Sequence, residues 1–325
     1  MIIKYTNADI FGFDNFEYKK GCVVVENNRV IYAGQTYNKP VDIDVDCLNK
    51  TIIPALTNMF VNINGNFVQV LNSMLNNGVV NCVFNGKVSY DELTLATTKL
   101  NGVAYAINVN KLYPLNMDLI VAEVEKLPPN VKPVLYVDDI LNLTELEVET
   151  IYLAAKKHDI PVFVVASENL EQVGICHNET GKTPIELIED YGLFDLQLYL
   201  MYCNSVDKYD LEILEKYNAN IIVFPIEDMQ RGSGITPIAS MVEHNLNISL
   251  GSINPSLNLL NTIRIIKLTQ SGYLNKIDAV FNKDLLKIVT QNNLFNLTSI
   301  LVIDEQFKDY NSFILTENKP IKANN

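Results

Sequence analysis

The chain has 325 residues, enough for one large α/β domain or two ordinary ones, and its 48% hydrophobic and 19% charged residues with 14 Gly and 12 Pro exclude disordered and collagen-like chains. Asp and Glu (38) outnumber Lys and Arg (25), and the net charge of −13, with no local basic run to offset it, argues against nucleic acid and anionic lipid as partners. No apolar run approaches the roughly 20 residues of a membrane span and Met1-Ile2-Ile3-Lys4 opens no leader pattern, so a cytoplasmic protein is expected.

In chain order, two β-branched runs around residues 23–25 and 30–33 flank Asn27-Asn28, which signals a hairpin, and residues 1–53 read as all-β. After Pro54, short apolar runs alternate with helix-length segments of 3.6-residue periodicity, the pattern of parallel βα units. Eight strands are predicted at residues 55–63, 79–84, 103–109, 133–137, 161–166, 197–203, 221–224 and 248–251. Thr144-Glu145-Leu146-Glu147 reads as a capping box before a helix over 148–157, and Thr183-Pro184-Ile185-Glu186 places Pro at a helix's first position. Residues 300–304 and 312–316, the latter followed by a turn at Glu317-Asn318-Lys319, return to strand. The expected fold class is α/β: a (β/α)8 TIM barrel over 54–296, with a small β-sandwich formed by residues 1–53 and 297–325. Cys22, Cys47, Cys82, Cys176 and Cys203 are odd in number and lack metal-type spacing, so reduced thiols are expected.

Five segments carry a resemblance. They are Ile52-Ile53-Pro54-Ala55-Leu56-Thr57-Asn58; Asn77-Gly78-Val79-Val80-Asn81-Cys82-Val83; Gly181-Lys182-Thr183-Pro184-Ile185-Glu186-Leu187 with Gly192-Leu193; Phe224-Pro225 through Gly232-Ser233-Gly234-Ile235-Thr236-Pro237-Ile238; and Leu250-Gly251-Ser252. Together they resemble the amidohydrolase superfamily, in its methylthioadenosine/S-adenosylhomocysteine deaminase branch. The resemblance implies a divalent metal held by a His-x-His pair on strand one, a His on strand five and an Asp on strand eight. The matching positions here are Phe60, Asn62, Val165 and Ile253, and a further family His on strand six is matched by Tyr202. Glu168 matches the family's general acid/base, the loop Ser-Asn after strand seven is matched by Glu227-Asp228, and most of the Gly- and Ala-rich segment before the closing strands is missing.

Hydrolytic deamination needs a hydroxide equivalent, which a metal supplies by lowering the pKa of water from about 15.7 to about 7. That is worth on the order of 12 kcal/mol. A lone general base gives about 10²–10⁴-fold, roughly 3–5 kcal/mol, so Glu168 does not make up the difference. No metal or other cofactor is therefore expected. His158, His177 and His244, the only histidines, fall at a helix end, in a loop and at another helix end, and nothing in the sequence makes them converge.

Other features each have two readings. Glu168, Asp138, Asp139 and Glu227 at strand ends suit metal-free acid/base work or are solvated loop residues. Cys176-His177 suggests a nucleophile and base, but adjacent residues in an extended loop point apart. Cys176 through Thr183 ends like half a phosphate loop, yet lacks the leading Gly. Phe60 and Tyr202 either stack on a base or fill vacated space, and Gly232-Ser233-Gly234 either cradles an anion or ends a loop.

The leading reading is a catalytically degenerate, metal-free amidohydrolase-like protein that binds a nucleoside-like small molecule or associates with another subunit. Phe60, Asn62, Asp138, Tyr202 and Glu227 are its candidate binding residues, and the resemblance implies a homodimer or pairing with an active relative. The alternative is a hydrolase or deaminase acting on C–N bonds of a nucleoside-like substrate through Glu168 in an altered or metal-independent site. A third reading is a structural protein whose barrel mouth has filled in.

Overall fold

Five strands lead the chain: β1 (Ile2–Phe13), β2 (Phe16–Glu26), β3 (Arg29–Gly34), β4 (Ile43–Asp46) and β5 (Thr51–Pro54). The structure is a computed structural model that describes residues 1–13, 16–27, 29–252, 258–290, 294–295, 299–307 and 309–315. Eight parallel strands follow: β6 (Leu56–Ile63), β7 (Val79–Gly86), β8 (Gly102–Asn108), β9 (Lys132–Val137), β10 (Val162–Ala166), β11 (Leu198–Tyr202), β12 (Asn220–Val223) and β13 (Asn247–Leu250). The last strand is β14 (Ile300–Ile303).

Both ends of the chain build one mixed sheet, in the order β14-β5-β1-β2-β3 with β4 also paired to β1. The expected hairpin is present, running from Cys22↔Gly34 to Glu26↔Arg29. Asn27 turns it with a φ of 47°, a left-handed conformation that Asn tolerates better than most residues; Asn28 lies outside the described residues. Ala8, Ile10, Val23, Ile52 and Val302 form its core. The second C-terminal strand expected at 312–316 is instead the helix Tyr310–Leu315. Asp309 and Ser312 cap it reciprocally, and Phe313 packs on Phe11 and Phe307. Asn296 and Glu317-Asn318-Lys319 lie outside the described residues.

The eight parallel strands run in sequence order from β6 to β13, as expected of a βα barrel. A bridge between Val61 and Ser252 closes the ring. There the Ser252 N–H donates to the Phe60 carbonyl at 2.8 Å, and the Asn58 amide donates to Ser252 Oγ at 2.7 Å. Inward side chains of alternate parity, among them Met59, Val83, Ala104, Val134, Phe163 and Tyr199, fill the interior. Leu294 and Phe295 join the same cluster and plug the floor, where Lys132 Nζ donates to the Leu294 carbonyl at 2.7 Å. A Cβ on Gly102 would stand 2.5 Å from the Phe295 ring, so that plug leaves room only for glycine.

Helix starts follow the sequence signals. Thr144 and Thr183 each close a capping box, with Glu147 and Glu186 respectively. Thr183 Oγ1 also donates to the buried Asp210 carboxylate at 2.6 Å, tying one helix start to the next βα unit. Thr183→Ala is expected to cost about 1–2 kcal/mol, read as a drop in the urea midpoint at unchanged m-value. Cys176 and His177 lie within the helix Leu170–Thr180 rather than in a loop. All five cysteines are free and buried, and among the described residues no helix is long and apolar enough to cross a membrane.

Candidate functional site

The carboxyl ends of β10 and β11 carry backbone strain. Ser167, Tyr202 and Cys203 all have left-handed φ values, 50°, 73° and 51°. Such conformations cost on the order of 1–3 kcal/mol each in non-glycine residues and concentrate where function or packing over-determines them. Here they turn the chain sharply over the barrel mouth.

The mouth is filled by aromatic rings. Phe60 lies 5.1 Å from Tyr136 and 6.1 Å edge-on to Phe224, and Tyr202 lies 4.6 Å from Phe224, centroid to centroid. Phe224 is fully buried, and Phe60, Val165 and Tyr202 are no more than 7% exposed. Gly251 makes this possible, since a Cβ there would stand 2.3 Å from the Phe224 ring. Burial pushes both phenols up, Tyr202 to about 12 and Tyr136 further, so both hydroxyls stay protonated across the physiological range.

Glu168 follows the strained turn after β10. Its carboxylate accepts from Arg231 Nη1 at 2.6 Å, and its backbone N–H donates to Gln172 Oε1 at 2.8 Å. Arg231 ends the helix Pro225–Arg231 and also serves the Tyr202 hydroxyl. Asp228, on the same helix, is fully buried. One of its oxygens accepts from Thr236 Oγ1 at 2.8 Å, and Oδ1 has no hydrogen-bond partner. Burial raises this carboxyl from its ordinary value near 3.8 to about 7.

The sequence candidates are distributed unevenly around this mouth. Phe60, Tyr202 and Val165 belong to the packed interior. Asp138 accepts from the Asn108 amide at 2.6 Å, and its own N–H donates to Asn110 Oδ1 at 3.0 Å. Asp139 accepts from the Leu141 N–H and the Asn142 amide, as a turn residue does. Glu227 is buried at 5% exposure. Ile253 lies outside the described residues. His158 and His177 are exposed on separate helices, and His244 pairs with Glu215 at 2.8 Å. Cys176 is buried while His177 faces out, so the two do not form a catalytic couple. Gly232 caps its helix in left-handed conformation and the Ser233 carbonyl accepts from the Asn204 amide, so the Gly-Ser-Gly segment ends that helix and opens the loop before the helix Ile238–Glu243.

Open space lies beside the ring-filled mouth. A cavity of about 950 Å³ spans the ends of β6, β7 and β8 and is lined by Asn62, Asn85, Asn108, Lys87, Lys111 and Tyr105. Of these, only Asn62 was singled out by sequence reasoning. A signal existed: Asn62, Asn85 and Asn108 recur every 23 residues, each at or beside the end of a predicted strand. Asp228 and Arg231 were harder to foresee, because the Arg231–Glu168 contact spans 63 residues of sequence.

No family model matches the chain. It is 27% identical over 184 residues to the 5-methylthioadenosine/S-adenosylhomocysteine deaminase of Clostridium tetani, covering 55% of this chain and 43% of that protein. To the enzyme of the same description from Carboxydothermus hydrogenoformans it is 30% identical over 127 residues, 39% of this chain and 29% of the relative. The matches thus span less than half the length of these curated relatives. Among solved structures, an adenosine deaminase from Xanthomonas campestris with bound zinc superposes with a TM-score of 0.79 at 11% identity, covering 98% of this chain and 90% of that one. This is the amidohydrolase fold. A guanine deaminase from C. acetobutylicum with bound guanine shares the fold at a TM-score of 0.71 and 13% identity, over 93% and 91% of the two chains.

Proposed function

We propose that this chain is a metal-free, catalytically silent amidohydrolase-like protein that acts by binding a nucleoside-like small molecule, alone or within a subunit pair. The observation that carries this reading is the Phe60 ring, packed against Tyr136 and Phe224 at a position where the resemblance expects a metal-ligating histidine. Divalent metals of this kind take nitrogen, sulfur or oxygen ligands, which Phe60 and Val165 cannot offer. Asn62 alone supplies one neutral oxygen. Among the described residues no group of three or more His, Cys, Asp or Glu side chains could hold a metal ion. The side chains present do not fit the metal, and no reaction step is routed through one. Glu168, the retained acid/base position, is held in an ion pair by Arg231.

Protein purified without chelator or affinity nickel, incubated with zinc and with iron and freed of excess, is expected to keep less than about 0.1 equivalent of either metal. It is also expected not to deaminate adenosine or methylthioadenosine. One tightly held equivalent of metal, or deamination lost in Glu168→Gln, would overturn the reading.

A further inference from the structure

We infer that the cavity beside the plugged mouth takes an elongated small-molecule anion with a hydrogen-bonding body, of the class of a nucleoside monophosphate; the inference deepens the binding reading above and rests on it. The volume of about 950 Å³ lies at the upper end of ordinary ligand sites, roughly 300–1,000 Å³.

Its shape follows from strand parity. Asn62, Asn85 and Asn108 share the inward parity of Phe60, Val83 and Ala106, which belong to the barrel interior. Tyr105 has the opposite parity and packs with the cluster between barrel and helices. A cavity touching both sets crosses the rim, and an elongated molecule suits it better than a compact one. At the crossing, Tyr105 Oη donates to the Gly86 carbonyl at 2.6 Å, which fixes the ring.

The amide row sets the chemistry of the ligand's body. Asn85 gives its NH2 to the Ala106 carbonyl at 3.0 Å, and Asn108 gives its NH2 to Asp138. Their side-chain oxygens remain as acceptors, and Asn108 Oδ1 is buried without a partner. Asn62, paired in register with Asn85, makes no side-chain hydrogen bond among the described residues. A body rich in N–H and O–H donors, such as sugar hydroxyls and an exocyclic amine, matches these groups.

Charge selects the other end. The chain carries a net −13, yet the charged lining of this cavity is three lysines against one glutamate. Glu123 is already paired with Lys126. Lys87, after β7, and Lys111, after β8, line the cavity, are exposed to solvent and have no acidic partner among the described residues. A cleft of one sign in a protein of the other concentrates its counter-ion locally.

Titration calorimetry on the full chain with adenosine and with adenosine 5′-monophosphate tests this. At low salt the monophosphate is expected to bind at least about tenfold more tightly than adenosine, and the advantage should shrink at high salt as screening shortens the reach of the lysines. The double charge reversal Lys87→Glu/Lys111→Glu, on exposed residues, should abolish that advantage by weakening the monophosphate far more than adenosine, whereas Asn62→Leu should weaken both ligands by a similar factor. Equal affinity for the two ligands, or an advantage that survives the double reversal, overturns the anion inference while leaving the small-molecule reading intact. If neither ligand binds, the inference and the small-molecule part of that reading fall together, and the metal measurement still decides whether catalysis has been lost.

Discussion

Phe224→Ala is expected to lower the unfolding free energy by about 3–5 kcal/mol, the range for deleting a fully buried aromatic side chain. Phe224 has no exposed surface and touches the rings of both Phe60 and Tyr202. Each such ring pair contributes about 0.5–1.5 kcal/mol beyond the area it buries. The strands around the mouth are fixed by their ladders, and the chain leaving β11 is already held in strained conformation at Tyr202 and Cys203, so collapse around the hole is limited. Urea unfolding reads the loss as a lower midpoint with the m-value retained. A change below about 1 kcal/mol would mean that these rings do not hold one another in place. The same variant is expected to loosen Phe60 and Tyr202, measurable as a near-ultraviolet circular dichroism signal that weakens before the far-ultraviolet signal changes.

Asp228→Asn is expected to stabilise the protein increasingly as pH rises, by about 2–4 kcal/mol at pH 8. Burial is the main reason that the Asp228 carboxyl titrates near 7 instead of 3.8. The Thr236 hydroxyl opposes the rise, Glu227 and Glu168 add to it, and Arg231 opposes it. Between those two values the unfolded chain gives up a proton that the folded chain keeps. The stability contributed by the neutral acid is therefore complete below pH 3.8 and is lost as pH climbs through about 7. The amide cannot ionise and so escapes that loss, while its oxygen still accepts from Thr236. Urea unfolding of both proteins at intervals from pH 4 to pH 8 checks this. A stability difference that does not change with pH would place the ionisation elsewhere.

The barrel was legible because its information is local. Runs such as Ile221-Ile222-Val223 and Val162-Phe163-Val164-Val165 are apolar on both faces, as buried parallel strands must be, and Ser, Thr, Asn and Asp capped most of the described helices between them. Residues 312–316 show the limit. Three apolar residues between Ser312 and Thr316 fit strand or helix equally, and the reciprocal Asp309–Ser312 cap decided for helix. At the mouth, residue types could be read but not their partners. Nothing near Glu168 announces that its carboxylate meets Arg231, nor does the loop around Asp228 reveal that Thr236 is its one hydrogen-bonding neighbour at the carboxylate. The cavity over β6, β7 and β8 was hidden for a related reason, since asparagine at a strand end reads as an ordinary turn residue until Asn62 pairs in register with Asn85 and Asn108 lines the same cavity.

The floor of the barrel and the edge of the terminal sheet are completed by one late stretch of chain. Thr51 Oγ1 donates to the Glu305 carbonyl across 254 residues of sequence, beside the pairing of β5 with β14. During synthesis β5 therefore emerges long before the strand that covers its outer edge, and the barrel can assemble while its underside still lacks Leu294 and Phe295. Contacts so distant in sequence form slowly, and an unpaired strand edge is a template for pairing with other chains. The vulnerable species for this protein is then a nearly finished barrel with an exposed β5 edge and an open floor, and its yield on folding is governed by how soon the last strand docks.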